Sequence, residues 1–282
     1  MTASSRPKAR GRFRWPQGFG VSSAALTLLA IVIACFLWPE VHSMHMPVGG
    51  NVRDANLPLL SSDHLLGTDM DGNDVLSRLL YGGRQSLLVA FGVNLLGLLI
   101  GGTLGAVAAY FRGFVDTAIM RTIDIIIAFP PLILAIAISQ AFTPSTGTLV
   151  LALLCYSIPA FARVSRASTL RLCALPFMTA ARLSATSHNG ILRKHIAPNV
   201  LPQLASYALL GVGVVVVLEG AMSFLGLGTP PPNPSWGGMI FHGQSAMLTR
   251  PHLLIVPSVM LSVTVLCFNL IGEALRERLD AK

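Results

Sequence analysis

Long apolar stretches alternate with short polar ones along the whole chain. The apolar runs lie at about 20–38, 86–110, 117–141, 146–165, 199–226 and 254–274. A helix needs roughly 20 apolar residues to cross a bilayer, so six transmembrane helices are expected. In the second run Gly97, Gly101 and Gly105 stand four apart on one helix face. Small residues so spaced let two helix backbones approach closely. Pro130–Pro131, Pro159 and Pro257 interrupt later runs, which membrane helices tolerate because neighbours satisfy the freed backbone groups. Positive charge fixes the sides. With the N-terminus in the cytoplasm, only Arg53, Arg78, Arg84 and Arg250 of the 20 Lys and Arg fall outside. Cytoplasmic loops carry the basic excess, so both termini are placed inside. The segment at about 166–198 is then a cytoplasmic loop.

Composition agrees with this pattern. Hydrophobic residues make up 53% of the chain and charged ones 11%, against about a quarter charged in soluble domains. The class expected is an all-α, multi-pass membrane protein. A net charge of +8 does not point to nucleic acid, because the basic residues are scattered between apolar runs instead of forming one face. None of the four cysteines belongs to a CxxC, and they read as small apolar packers. The basic start "MTASSRPKARGRFRW" precedes an apolar run that is long for a signal peptide, with no clear small-x-small cleavage site after it. The expected organisation is a basic tail at 1–19, a first helix at 20–38, an external loop at 39–85 and a five-helix core at 86–282.

Candidate chemistry is sparse. A phosphate-binding loop ends in Gly-Lys-Ser/Thr, yet Lys8, Lys194 and Lys282 are the only lysines and none follows a glycine. HExxH and GxSxG are absent, and the histidines fall in loops or at span ends. An enzyme is not expected, nor a cofactor or metal bound by this chain. "GTDMDGND", Gly67–Asp74, begins like a calcium loop, but its sixth position is Asp74 and its twelfth Leu80. It reads as a tight turn. "HSMHM", His42–Met46, offers soft-metal ligands and reads as a solvated loop. Asp124 and Glu219 lie at bilayer depth, where charges are costly and mark pathways or structural pairs. They are candidate pathway residues. Pro176–Ser187 holds good helix formers, His188–Asn189–Gly190 ends that helix, and a second one is stopped at Pro198. The basic pair makes either an interfacial platform on anionic lipid or a docking surface for a soluble partner.

Several stretches carry a resemblance. "LLGTDMDGNDVLSRLLYGGRQSLLVA", "AYFRGFVDTAIMRTIDIIIAFP", "EGAMSFLGLGTPPPNPSWGGMI" and "FNLIGEALRERLD" are similar, in order, to the permease subunits of ATP-binding-cassette importers. The similarity is to the second (C-type) permease of the dipeptide/oligopeptide/nickel branch. It implies a type I ABC importer transmembrane domain and a non-catalytic transport subunit. The implied partners are a sister permease, two ATPase subunits that use ATP and Mg, an external substrate-binding protein and the bilayer. It makes Thr179, Ala180, Ala181, Arg182, Ala185, Ser187 and His188 part of an ATPase-coupling loop, and Gly67, Thr68, Asp69 and Asp74 part of an external motif. Three positions depart from the family pattern: Thr179 replaces a glutamate, Ala185 a glycine and Asn73 an arginine. Alanine at 185 implies either an ordinary helical φ or strain. The cargo implied is short peptides, with nickel or metal–chelator complexes as the alternative. A proton-coupled secondary transporter using Asp124 and Glu219 is a further alternative, although no inverted repeat is visible.

Overall fold

Among the residues described by the computed structural model, 19–41, 46–61 and 63–280, every named element is helical. Residues 1–18 of the basic tail, and 42–45 of "HSMHM", lie outside the described residues. Helix α1 (Phe19–Phe36) and the short α2 (Trp38–Val41) precede a turn-rich segment. Next comes α3 (Val75–Phe111), then α4 (Gly113–Ile127) and α5 (Pro131–Ala141). Beyond them lie α6 (Thr146–Cys173), α7 (Pro176–Leu183) and α8 (His188–Gly190). A π-helical turn at Ile191–Ile196 leads into α9 (Ala197–Phe224), followed by α10 (Trp236–Gly243) and α11 (His252–Asp280).

Among the described residues four helices are long and apolar enough to cross a membrane: Val75–Phe111, Thr146–Cys173, His188–Phe224 and His252–Leu279. The run expected at 117–141 is broken: α4 and α5 meet at 85° around Ala128–Pro130. Pro131 opens α5 at a position where its missing N–H is harmless. The first run forms the shorter apolar helix Gly20–Phe36.

Several boundaries differ from the sequence reading; α7 already ends at Leu183, and His188–Gly190 opens the next helix instead of closing that one. α3 starts at Val75, well before the apolar run, because Asp74 caps it: a carboxylate oxygen accepts from the Ser77 amide at 2.7 Å. The helix expected to stop at Pro198 instead continues without a break from His188 to Phe224. The π-helical turn explains this passage. The Ala197 amide bonds to the Leu192 carbonyl, five residues back, and the widened turn relieves the clash a proline ring makes with an α-helical ladder.

The glycine face does what its spacing predicts. α3 and α6 cross so closely that a Cβ on Gly101 would sit 3.0 Å from Cβ of Phe161. One on Gly105 would run into the Ala162 carbonyl. Serines use the close approach: Ser157 Oγ donates to Val93 O at 3.2 Å and Ser165 Oγ to Gly102 O at 2.6 Å. The larger apolar core gathers around Leu87, Trp236 and Phe268, and a smaller one, containing Tyr110, Phe161, Met178, Ile191 and Ile196, holds the segment after α6.

Candidate functional site

The segment with the expected docking role is a folded platform. α6 runs on to Cys173, so the platform starts at Ala174. Pro176 opens α7, and Met178 and Ile191 anchor it, both essentially fully buried. Their burial leaves the opposite face free: Thr179, Ala180, Arg182, Ala185, Ser187 and His188 are exposed or half-exposed and Ala181 is half-buried. Ser187 caps α8 by accepting from the Gly190 amide at 3.2 Å.

Two contacts fasten this platform to the end of α3. Tyr110 Oη lies 2.8 Å from His188 Nδ1, and the Arg182 guanidinium sits 5.6 Å over the Tyr110 ring. An Arg above an aromatic face is attracted by the ring quadrupole. Sequence reading missed Tyr110. It lies 78 residues from His188 and belongs to no polar motif.

Ala185 resolves the question its side chain raised. Its φ is 54°, in the left-handed region, where the chain turns from α7 toward α8. The turn therefore keeps a glycine-type backbone with a Cβ present. The left-handed conformation costs an L-residue about 1–2 kcal/mol. Ala185→Gly is expected to relieve part of this, about 0.5–1 kcal/mol after the added freedom of the unfolded chain. Slower limited proteolysis at 183–188, together with a slightly raised melting temperature, is the readout.

The external motif is a network closed by its own donors. Thr68 is buried, accepts the Leu57 amide at 2.9 Å and donates to the Asp54 carbonyl. Asp69 accepts from the Asp71 and Asn73 amides at 3.0 and 2.8 Å, and Arg78 reaches it at 3.3 Å. Gly67 has φ 73° and its carbonyl accepts from Val75. Asp74, besides capping α3, lies 2.9 Å from His64 Nδ1. Asn73 binds both Asp69 oxygens and takes the Gly50 amide at 2.9 Å, so it stitches two strands of the loop where the family pattern has arginine. These bonds are those of an Asx-type turn.

The two acids at bilayer depth differ in setting. Glu219 is fully buried inside the chain's own packing. Its Oε1 accepts from Ser223 at 2.7 Å. The Ser86 and Ser235 hydroxyls also face the carboxyl group, while Oε2 closes no well-formed bond among the described residues. Trp236 completes the knot: it is fully buried, its indole N–H donates to Leu79 O at 2.9 Å, and its amide meets Ser86 Oγ at 3.3 Å. The stretch "EGAMSFLGLGTPPPNPSWGG" thus folds back so that both of its ends meet α3. Sequence reading found Glu219 but not its serines, which come from three separate parts of the chain. Asp124, by contrast, lies on an exposed face and pairs with Arg163 at 2.8 Å. Nearby, Asp116 takes two 2.6 Å bonds from Arg166, so two ion pairs hold α4 to α6.

Comparison with known proteins agrees with this arrangement. Residues 101–282 match the family described as binding-protein-dependent transport system inner membrane component. The chain is 40% identical over 222 residues to the glutathione transport system permease protein GsiD of Pectobacterium atrosepticum, covering 79% of this chain and 74% of that protein. It is 36% identical over 255 residues to a putative peptide transport system permease protein of Brucella suis, covering 90% and 85%. Among solved structures, an inward-facing form of the MetNI methionine ABC transporter superposes with a TM-score of 0.59 at 17% identity, covering 71% of this chain and 95% of that one. The last likeness is one of fold. With bent and proline-bearing helices packed on a glycine-faced one and a folded platform at one end, the chain belongs to the binding-protein-dependent transport system inner membrane component family, the membrane permeases of ABC importers.

Proposed function

We propose that this chain and a sister permease together form the path by which glutathione or similar short peptides cross the membrane. An external binding protein delivers the cargo. Two separate ATPase subunits, which hold ATP and Mg, dock on the cytoplasmic platform of α7, α8 and the π-helical turn. The observation that carries this reading is the similarity, over most of the chain, to permeases named for glutathione and peptide transport. The platform supports the docking role. Its outward face includes Thr179, Ala180, Arg182 and Ala185, while Met178 and Ile191 bind it to the helices that would move. Thr179 offers no carboxylate to the ATPase groove, so docking rests on Arg182 and on shape.

The test is uptake into proteoliposomes by the complex that co-purifies with the tagged chain. ATP-driven uptake of glutathione or di- and tripeptides, dependent on the binding protein, is expected. A chain that purifies alone, or uptake that collapses with the proton gradient while ATP remains, overturns the proposal.

Asp124 and Arg163 are proposed to line the path. Charged side chains this exposed, 54% for Arg163 and 47% for Asp124, belong on a water-filled or protein-facing surface and not against lipid. An exposed pair adds at most ~1 kcal/mol to stability. Arg163→Ala is therefore expected to leave the melting temperature nearly unchanged and to lower uptake about tenfold, equivalent to ~1.4 kcal/mol on the limiting step. Arg163→Lys should recover part of it. Unchanged uptake by Arg163→Ala removes the pair from the path. Glu219, enclosed among serines, is assigned a positioning role at the junction of α3, α9 and α10.

A further inference from the structure

A groove of about 480 Å³ runs between the last part of α3 and the start of α9, beside the platform. Its α3 wall is a single stripe, Leu98 to Val107, and its other wall a stripe from Asn189 to Leu204 on the continuous helix. The floor is apolar. Ser165 and Thr103 also line it, but their hydroxyls are spent on the Gly102 and Leu99 carbonyls. Hydrogen-bond donors left to face an anion are therefore confined to one end, Asn189 and Arg193. No carboxylate lines the groove, and among the described residues Arg193 has no carboxylate within ion-pair distance. Arg193 thus makes this mouth basic, with Lys194 and His195 on neighbouring faces of the same turn.

We infer that the groove is a binding site for an anionic phospholipid, one acyl chain lying between α3 and α9 and the phosphate held at Arg193 and Asn189. Length and charge both fit. Asn189 to Leu204 spans roughly 22 Å of helix, enough to take an acyl chain through one leaflet of a hydrocarbon core about 30 Å thick. A basic side chain at the end of an apolar helical groove matches an anionic headgroup at the leaflet surface. The widened π-helical turn, Ile191–Ile196, forms the lip of the groove and part of the docking platform alike. A bound lipid thus holds the platform against the membrane. The leaflet assigned, the cytoplasmic one, rests on the function proposed above. The binding itself does not.

The full chain is purified in neutral detergent and titrated with phosphatidylglycerol or with phosphatidylcholine of the same acyl chains, and retained lipid is counted by native mass spectrometry. One phosphatidylglycerol per chain is expected, with phosphatidylcholine retained about fivefold more weakly, the effect of one arginine on an anionic surface. Arg193→Gln should lower phosphatidylglycerol retention by that factor and leave phosphatidylcholine unchanged. Ala197→Trp, which fills the groove from an exposed position, should lower both, and Leu201→Trp serves as a second filling variant should the first misfold. Equal retention of the two lipids, or full retention by Arg193→Gln or by both filling variants, overturns the inference. Complete displacement by inorganic phosphate also overturns it, since the site would then take a free anion. So does loss of the lipid when the chain is purified with its sister permease, since the groove would then belong to that interface. The assay needs neither ATPase nor cargo, so its failure and a failure of uptake remain distinct.

Discussion

Replacing Gly105 by leucine should leave no monodisperse permease. At this position the backbones of α3 and α6 touch: a Cβ would strike the Ala162 carbonyl group and lie 2.9 Å from the Arg166 amide nitrogen. Main chain cannot swing aside as a side chain does, so the two helices must separate. Separation undoes the neighbouring serine-to-backbone bonds, Ser157 to Val93 and Ser165 to Gly102, and loosens the contact at Gly101. Overpacking of a well-packed site costs typically 1–3 kcal/mol and occasionally more. The loss expected here lies at or above the top of that range, because backbone is what must move. Gly92 supplies the control. It stands on the same helix with nothing within 4 Å of where a Cβ would sit, and Gly92→Leu should be tolerated. Fluorescence-detected size exclusion of the two variants decides the matter. A Gly105→Leu protein that elutes and melts like the parent would show that the α3–α6 crossing is looser than these contacts imply.

The second large effect is expected at Glu219. Glu219→Leu removes the acceptor that Ser223 uses and leaves the Ser86 and Ser235 hydroxyls facing a hydrocarbon side chain. A buried polar group stripped of its partner costs about 1–3 kcal/mol. The damage should spread, because Trp236 is tied to the same Ser86 and anchors α10. Loss of the knot frees α10 from α3, so a lowered melting temperature should come with faster proteolysis between 226 and 235. Glu219→Gln is isosteric and keeps an oxygen for Ser223. It should retain most of the stability and assemble normally. Uptake by the glutamine variant then separates two roles. Normal uptake marks a group that only positions α9, whereas lost uptake in a stable protein marks one whose charge the transport cycle requires.

These two sites show what the sequence reveals and what it hides. The glycine face is legible because helix periodicity turns a spacing of four into one surface. The apolar runs are legible for a similar reason, since bilayer thickness sets their length. Glu219 is conspicuous because a lone carboxylate in "VVVVLEGAMSF" has few bland explanations. Its partners are not, since serines at 86, 223 and 235 carry no signal until the fold brings them together. Tyr110, the partner of His188, is hidden in the same way. The start of α3 at Val75 escapes a hydropathy reading because a cap, and not hydrophobicity, sets it, and Pro198 misleads because a π-helical turn accommodates it. The turn at 185 poses a definite alternative, ordinary φ or strain, and the backbone takes the second, with φ 54°.

Proline placement divides the four long helices into two kinds. α6 carries Pro159, α9 Pro202 and α11 Pro257 within their lengths, while α3 carries none over 37 residues. At 1.5 Å per residue α3 is a rod of roughly 55 Å, longer than the membrane is thick, with Asp74 and the Trp236 contacts near one end and Tyr110 at the other. α6, α9 and α11 thus each have a point at which the hydrogen-bond ladder is weakened and bending is cheap. α3 has no proline-weakened point, so a tilt imposed at one membrane face is expected to reach the other along it with least loss, the proline-bearing helices taking up the bend.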